Sequence, residues 1–430
     1  MQSTLIRRKF LFIFKYAVNC LIVIYFFYWL AHGNLLSDYS KVNAQVINDS
    51  ALTLNSVYSG FLNPTGIAFL NDSANNILVI EKSGNVKLIR DGIIQPNPVL
   101  SFNVDSQNEH GLLGIDTLQK NGISHVYLYL TEKILDPTNK TSESLRNRVY
   151  GLQFDNYTAS LGNKTLLLDL PSTIPPFHVG GKIMIGKDEN LYAVIGDLTP
   201  LDQNRSKLQN VKNGSEPNYT GSIFRINPSN GSALDDNPFV DIDVPNLDKT
   251  YSYGIRNSFG LTFDPITGTI WDTENGPAHN DELNIVYPGF NSGWREVMGP
   301  IHQTWLNRQS ENASIDNFVQ FPNSYYSDPQ ISWLTTIGVT DIEFINSSLL
   351  GKEYQNNIFV GDYKNGDLYF FKVNGDRTGL DLTDHLIDTE KKRMKHVIGT
   401  GFGGISDIKS GPDQKIYLVD YKKGEVFTIS

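Results

Sequence analysis

Beyond residue 50 the chain alternates short apolar runs with turn residues, and no long stretch carries apolar positions at helical spacing. The runs begin with Ile77–Ile80, which passes through Ser83, Gly84 and Asn85 to Val86–Ile89. Val126–Leu130, Leu191–Ile195 and Thr269–Trp271 follow. Ile358–Val360 then passes through Lys364 and Gly366 to Leu368–Phe371, and Ile416–Val419 through Lys423 and Gly424 to Val426–Ile429. Each unit reads as a buried strand, with a tight glycine turn and an alternating second strand where the unit continues. They recur at uneven spacings of roughly 50 to 90 residues, which predicts radial repetition of small sheets. The reading is an all-β fold, a six-bladed β-propeller over residues 51–430. Two β-sandwich domains are the alternative, but they do not need one unit to recur from end to end. In a propeller the loops converge at one end of the central channel, so polar loop residues are expected to share a pocket there.

The N-terminal pattern is different. Arg7, Arg8 and Lys9 close a basic flank (1–9) ahead of an apolar run (10–31) broken by Lys15 and Asn19. That run is long enough to cross a hydrocarbon core of about 30 Å. The preceding basic cluster predicts an N-in orientation that leaves the remaining chain outside. A linker (32–50) follows. Two readings stand: a transmembrane anchor holding the propeller outside the cell membrane, or a cleaved signal segment of a secreted protein. Asn-x-Ser/Thr sequons, among them Asn48, Asn71, Asn156 and Asn346, agree with an outside location.

Composition narrows the chemistry. A net charge of -10 argues against nucleic acid, whose phosphates need a basic face. The single cysteine, Cys20, lies within the apolar run, so neither disulfides nor Cys/His zinc sites support the fold.

Four segments combine polar side chains with glycines beyond what turns require: Glu109–Ile115, His178–Ile183 running on to Asp197, Gly254–Trp294, and Gly361–Gly366. The third contains Gly254-x-Arg256-Asn257, Gly276-Pro277, Asp281-Glu282-x-Asn284 and Gly289-x-Asn291-x-Gly293-Trp294. In this order the segments resemble the PQQ-dependent glucose/sorbosone dehydrogenase family of soluble quinoproteins, over nearly all of residues 60 to 430. The resemblance implies oxidation of an aldose or related alcohol at C1, with hydride passing to the quinone and electrons to an external acceptor. It implies His178 as general base, where a neutral imidazole is needed, with Asp197 beside it. Arg256 is implied to polarise the quinone carbonyl, a task suited to a fixed planar cation. Asn257 and Lys364 are implied cofactor contacts, Trp333 a stacking partner and Glu109 a pocket-side group. The main-chain carbonyls of Gly276 and Pro277 are implied ligands of Ca²⁺, a cation that favours oxygen. Plainer roles stand beside these: a turn for His178, a cap for Asp197, a loop brace for Arg256, a solvated lysine at 364 and a core ring at Trp333.

One part of the pattern is missing. Where the family carries Arg-x-Arg for the PQQ carboxylates, this chain reads Gly404-Ile405-Ser406-Asp407. Two charge-assisted contacts are worth about 3–6 kcal/mol together, or about 10²- to 10⁴-fold in affinity. Arg393, Lys395 and His396 are the nearest candidates to compensate. The gap keeps two rivals open: a non-catalytic propeller that binds a glycan or protein, and a hydrolytic propeller using Ca²⁺ and a histidine.

Overall fold

The computed structural model describes residues 44–135, 143–198, 205–304 and 314–430. The chain divides into two units, Met1–Gln45 and Val46–Ser430. The expected membrane or signal segment (10–31) lies outside the described residues. Among those residues no helix is long and apolar enough to cross a membrane.

The second unit is a six-bladed propeller: six sheets of mainly antiparallel strands running outward from an inner strand, the fourth ending in a parallel pair between Ile331–Trp333 and Leu386–Ile387. The inner strands are Pro64–Leu70, Leu112–Lys120, Ile183–Ile185, Ser258–Phe263, Val339–Phe344 and Ile405–Ser410. Each neighbours the next, and Ile405–Ser410 returns to Pro64–Leu70. The ring closes through the sixth blade, where Leu54–Ser59 pairs antiparallel with Glu425–Ile429. Val46–Ile47 likewise adds to the fifth blade against Val397–Thr400. Chain ends stapled into shared sheets leave no open edge between first and last blades.

The six apolar runs are the second strands of the six blades, and both of their faces are buried. In Ser73–Glu81, Ile77 and Val79 pack towards the sixth blade while Leu78 and Ile80 pack towards the second. The same division recurs around the ring, so each of the six interfaces between blades holds its own apolar cluster. Burial on both faces turns alternation into a continuous hydrophobic run.

Inner strands obey another constraint, because one face lines the channel. There they carry buried charge instead of hydrocarbon. Lys182 Nζ sits 2.7 Å from Asp341 Oδ2 and 2.6 Å from Asp407 Oδ1. The same carboxylates accept backbone N–H groups of the next blade, Ile408 to Asp341 and Ile67 to Asp407, both at 2.8 Å. Asp116 accepts Ile185 N at 2.7 Å. Charge and hydrogen bonds therefore stitch the blades together where apolar packing ends.

Close approach at the channel also fixes one glycine. A Cβ on Gly114 would stand 2.1 Å from the Gly181 carbonyl oxygen. Gly114→Ala is expected to cost about 1–3 kcal/mol by overpacking. Gly162→Ala, where a Cβ meets nothing within 4 Å, serves as the neutral control. Denaturant unfolding checks both, and equal midpoints for the two variants would contradict this packing.

Candidate active site

The candidate residues come from two kinds of connection. Glu109, His178 and Arg256 precede inner strands; Lys82, Asp197, Gly276 and Lys364 follow second strands. In an antiparallel blade these connections lie at the same end, which is why residues distant in sequence meet.

A cavity of about 390 Å³ opens there, lined by residues that include Glu109, Gly180, Lys182, Lys364, Tyr363 and Asp407. His178 and Arg256 are not among the lining residues; His178 is tied to the lining through its backbone N–H. Glu109 Oε2 accepts His178 N at 2.7 Å and Asn257 Nδ2 at 3.0 Å. The other end of the Asn257 amide accepts Gly180 N at 3.2 Å. Asn257 therefore braces the loop that carries His178.

His178 is held at both ring nitrogens. Its Nδ1 lies 2.6 Å from Asp197 Oδ1, and its Nε2 lies 2.8 Å from Arg256 Nη2. A guanidinium can only donate, so Nε2 is the acceptor and Nδ1 carries the proton given to Asp197. Asp197 is itself fixed, since its Oδ2 accepts Trp294 Nε1 at 2.7 Å. The Asp197 side chain is fully buried while that of His178 remains 14% exposed. The result is an oriented imidazole whose Nε2 electron pair is engaged by Arg256.

The local backbone explains the assembly. His178 adopts a left-handed conformation (φ 55°) ahead of Gly180 and Gly181. At Gly196 a Cβ would stand 2.4 Å from the His178 oxygen and 2.6 Å from the Arg256 oxygen. A residue without Cβ is what lets the three segments meet, and Asp197 N then donates to Arg256 O at 2.9 Å.

Arg256 also donates through Nη1 to Asn275 O at 2.6 Å, and its guanidinium lies over the Trp294 ring, 5.3 Å from the centroid. Burial pulls its basicity down, against the opposing pull of Asp197, Glu109, Glu274 and Asp281.

The cavity suits an anionic, flat ligand. Lys364 Nζ is bound by Thr336 O at 2.9 Å and Thr336 Oγ1 at 2.5 Å. Lys82 Nζ is bound by the carbonyls of Ser106 and Asn108, and Lys422 Nζ lies 4.3 Å from the Tyr363 ring centroid. Among the described residues none of these three lysines has a carboxylate partner within ion-pairing distance. Lys82, in the field of Glu109 and Asp105, and Lys364 line the cavity in a chain of net charge -10, and aromatic rings of Phe259, Tyr363 and Tyr421 line it with them.

Gly276 and Pro277 lie on the turn after the fourth blade's second strand, outside the cavity lining. Gly276 N donates to Asp281 Oδ1 at 2.9 Å. Neither carbonyl accepts a hydrogen bond from the described residues, which leaves both available to a cation. Among the described residues no cluster of His, Cys, Asp or Glu is grouped for a metal, so a cation here would draw on carbonyls and on the ligand itself.

Expectations for four residues are corrected. Trp333 is fully buried in the cluster between the fourth and fifth blades, edge-on to Tyr369 and Phe371. It belongs to the core and does not reach the cavity. Arg393 is held by Asp367, by Tyr369 Oη at 2.9 Å and by Glu390. His396 stacks on Phe371, and Lys395 is absent from the lining, so none of the three compensates for the missing arginines. Sequence reasoning in turn missed Lys82, which has no motif around it. It also passed over Lys182 and Trp294, which stood inside quoted motifs without a role.

Comparison with known proteins identifies the fold and the family. Aldose sugar dehydrogenase YliI of Escherichia coli K12 is 26% identical over 284 residues, covering 65% of this chain and 67% of that protein. A glucose dehydrogenase structure from Thermus thermophilus superposes with a TM-score of 0.66 at 23% identity, covering 88% of this chain and all of that one. The PQQ-bound aldose sugar dehydrogenase of Streptomyces coelicolor gives 0.61 at 22% identity, covering 88% of this chain and 98% of its own. The profile described as Glucose / Sorbosone dehydrogenase matches residues 61–428, and the chain accordingly belongs to the glucose/sorbosone dehydrogenase family.

Proposed function

We propose that the chain is an extracytoplasmic PQQ- and Ca²⁺-dependent dehydrogenase that oxidises an aldose or related alcohol at C1. The observation that carries this reading is the imidazole of His178, locked by Asp197 and Arg256 with Nε2 as acceptor. On substrate binding the C1 hydroxyl replaces Arg256 Nη2 as the hydrogen-bond partner of His178 Nε2, Nε2 takes its proton, and Asp197 stabilises the imidazolium that forms. Arg256 keeps a permanent positive charge beside the proton transfer, in a site that already excludes most water. PQQ, when bound, supplies the hydride acceptor. Arg256, Lys364 and Lys82 would hold it, with Asn257 and Glu109 bracing the wall, and the carbonyls of Gly276 and Pro277 would hold Ca²⁺. Electrons then leave to an external acceptor, and residues 10–31 tie the enzyme to the membrane.

In this reading Lys82 and Lys364 offset the missing Arg-x-Arg, since both present charge at the cavity without a carboxylate partner. Each charge-assisted contact is worth about 1.5 kcal/mol or more, so Lys82→Ala and Lys364→Ala are each expected to weaken PQQ uptake about tenfold. Absorbance titration of the protein with PQQ, with and without Ca²⁺, reads this directly. Absence of uptake up to millimolar PQQ would sink the dehydrogenase. It would favour the second reading, a non-catalytic propeller, which the absent arginine pair supports.

A further inference from the structure

A second histidine on the same face is not used by that chemistry. His110 Nδ1 lies 2.6 Å from Asp105 Oδ2, and its Nε2 lies 3.1 Å from Ser172 Oγ. His110 is fully buried and Asp105 is 7% exposed, while Ser172 reaches the surface on the loop leaving the strand Ser160–Leu170. The order of groups is carboxylate, imidazole, hydroxyl, which activates a serine oxygen as nucleophile.

The surroundings hold this geometry from both sides. Asp105 N donates to Thr131 O at 3.0 Å. Thr131 Oγ1 donates to Asn147 Oδ1 at 2.7 Å, and Asn147 Nδ2 donates to Pro171 O at 2.8 Å. Two elements are thereby tied together, one carrying the acid and the other the residue before Ser172. The N–H of Thr173, next to the hydroxyl, has no acceptor among the described residues. It is available to an oxygen that gains charge during acyl transfer. His110 adjoins Glu109, which holds His178 N, and Ser172 lies on the loop that leads to His178.

We propose that Asp105, His110 and Ser172 form a hydrolytic site for esters, and that its substrate class includes the lactone made when an aldose is oxidised at C1. The substrate assignment rests on the dehydrogenase reading; the site itself does not. Ser172 Oγ attacks the carbonyl carbon while its proton passes to His110 Nε2. The ring C–O bond breaks, and the freed alkoxide oxygen takes that proton. Water then attacks the acyl-serine ester, giving a proton to His110 that returns to Ser172 Oγ as the acid leaves. The sum is lactone plus water to hydroxy acid, with no change of oxidation state.

The test uses the full chain in chelator without PQQ, a fluorophosphonate probe, and p-nitrophenyl acetate as ester. Covalent labelling of Ser172, located by mass spectrometry, is expected, with ester cleavage about 10²-fold above that of Ser172→Ala and His110→Ala. Burial, helped by the positive charge of Lys82, holds the His110 pKa below its ordinary value against the pull of Asp105 and Glu109, with Lys133 flanking Asp105. The rate is therefore expected to rise with pH and level off below about pH 6.5. Should Ser172→Ala fail to fold, Ser172→Cys keeps the contact and is expected to react with iodoacetamide faster than Ser172→Cys combined with His110→Ala. No labelling of Ser172 in folded protein, or equal rates in that cysteine pair, overturns the site. Labelling without PQQ uptake keeps the hydrolytic site and overturns the dehydrogenase; turnover of sugar without labelling does the reverse.

Discussion

Replacing His178 with alanine is expected to lower sugar turnover by about 10²- to 10⁴-fold, the usual weight of one positioned general base, while PQQ uptake stays intact. The separation follows from position. His178 is bonded through its ring to Asp197 and Arg256 and is not among the lining residues, whereas Lys82 and Lys364 supply charge at the lining itself. Asp197→Asn is the sharper companion. An asparagine oriented with its oxygen towards Trp294 Nε1 presents its amide to His178 Nδ1, which must then accept. That moves the proton to Nε2 and removes the lone pair the reaction needs. A loss of similar size is therefore expected without any change in fold. Steady-state assays with a dye acceptor give kcat, and a parallel PQQ titration separates turnover from binding. An alanine variant turning over at the parent rate removes His178 from the mechanism.

The largest expected effect on stability belongs to Lys182. Its ammonium is almost completely enclosed and bridges Asp341 and Asp407, which come from different blades. Lys182→Met leaves two buried carboxylates facing each other with only the field of the neighbouring Lys409 to offset them, and breaking such a buried network costs about 3–5 kcal/mol. Denaturant unfolding is expected to show that loss. Combining Lys182→Met with Asp341→Asn and Asp407→Asn is expected to recover most of it, because the uncompensated charge is then gone. A change below about 1 kcal/mol in the single variant would mean that the two carboxylates are stabilised by their backbone donors alone. Lys182 and Asp407 also line the cavity, so the single variant is expected to admit an anionic ligand less readily as well.

The residues that were legible in the chain share one property: their surroundings are dictated by near neighbours. Second strands such as Leu191–Ile195 and Ile416–Asp420 are buried on both faces, so they stand out as apolar runs. Inner strands escaped because Gly66, Lys182 and Asp407 face the channel, where a bulge and buried charge interrupt the alternation. The closing strand Leu54–Ser59 escaped because it is half exposed and its partner lies at the other end of the chain.

The site divides along the same line. His178, Arg256, Asp197, Glu109 and Lys364 were singled out through the family resemblance of their segments, and the structure gathers them at one mouth of the ring. Trp333 was misread because a tryptophan beside a loop looks the same in sequence whether it faces a cavity or a core; its contacts with Tyr369 and Phe371 are set by the next blade. Arg393 was misplaced because a cation in sequence carries no record of the carboxylate that captures it.

By itself the order of residues determined the repeating unit, the number of blades and the end of the ring where polar loops gather. Tertiary structure alone decided which charges are spent and which remain free. Lys182 is neutralised between Asp341 and Asp407, Arg393 is consumed by Asp367, and Lys82 and Lys364 stand at the cavity lining without a carboxylate in ion-pairing distance among the described residues. The reason is physical: burial and alternation are encoded over a few neighbouring positions, whereas the field at a side chain depends on groups hundreds of residues away that only a closed ring brings within reach.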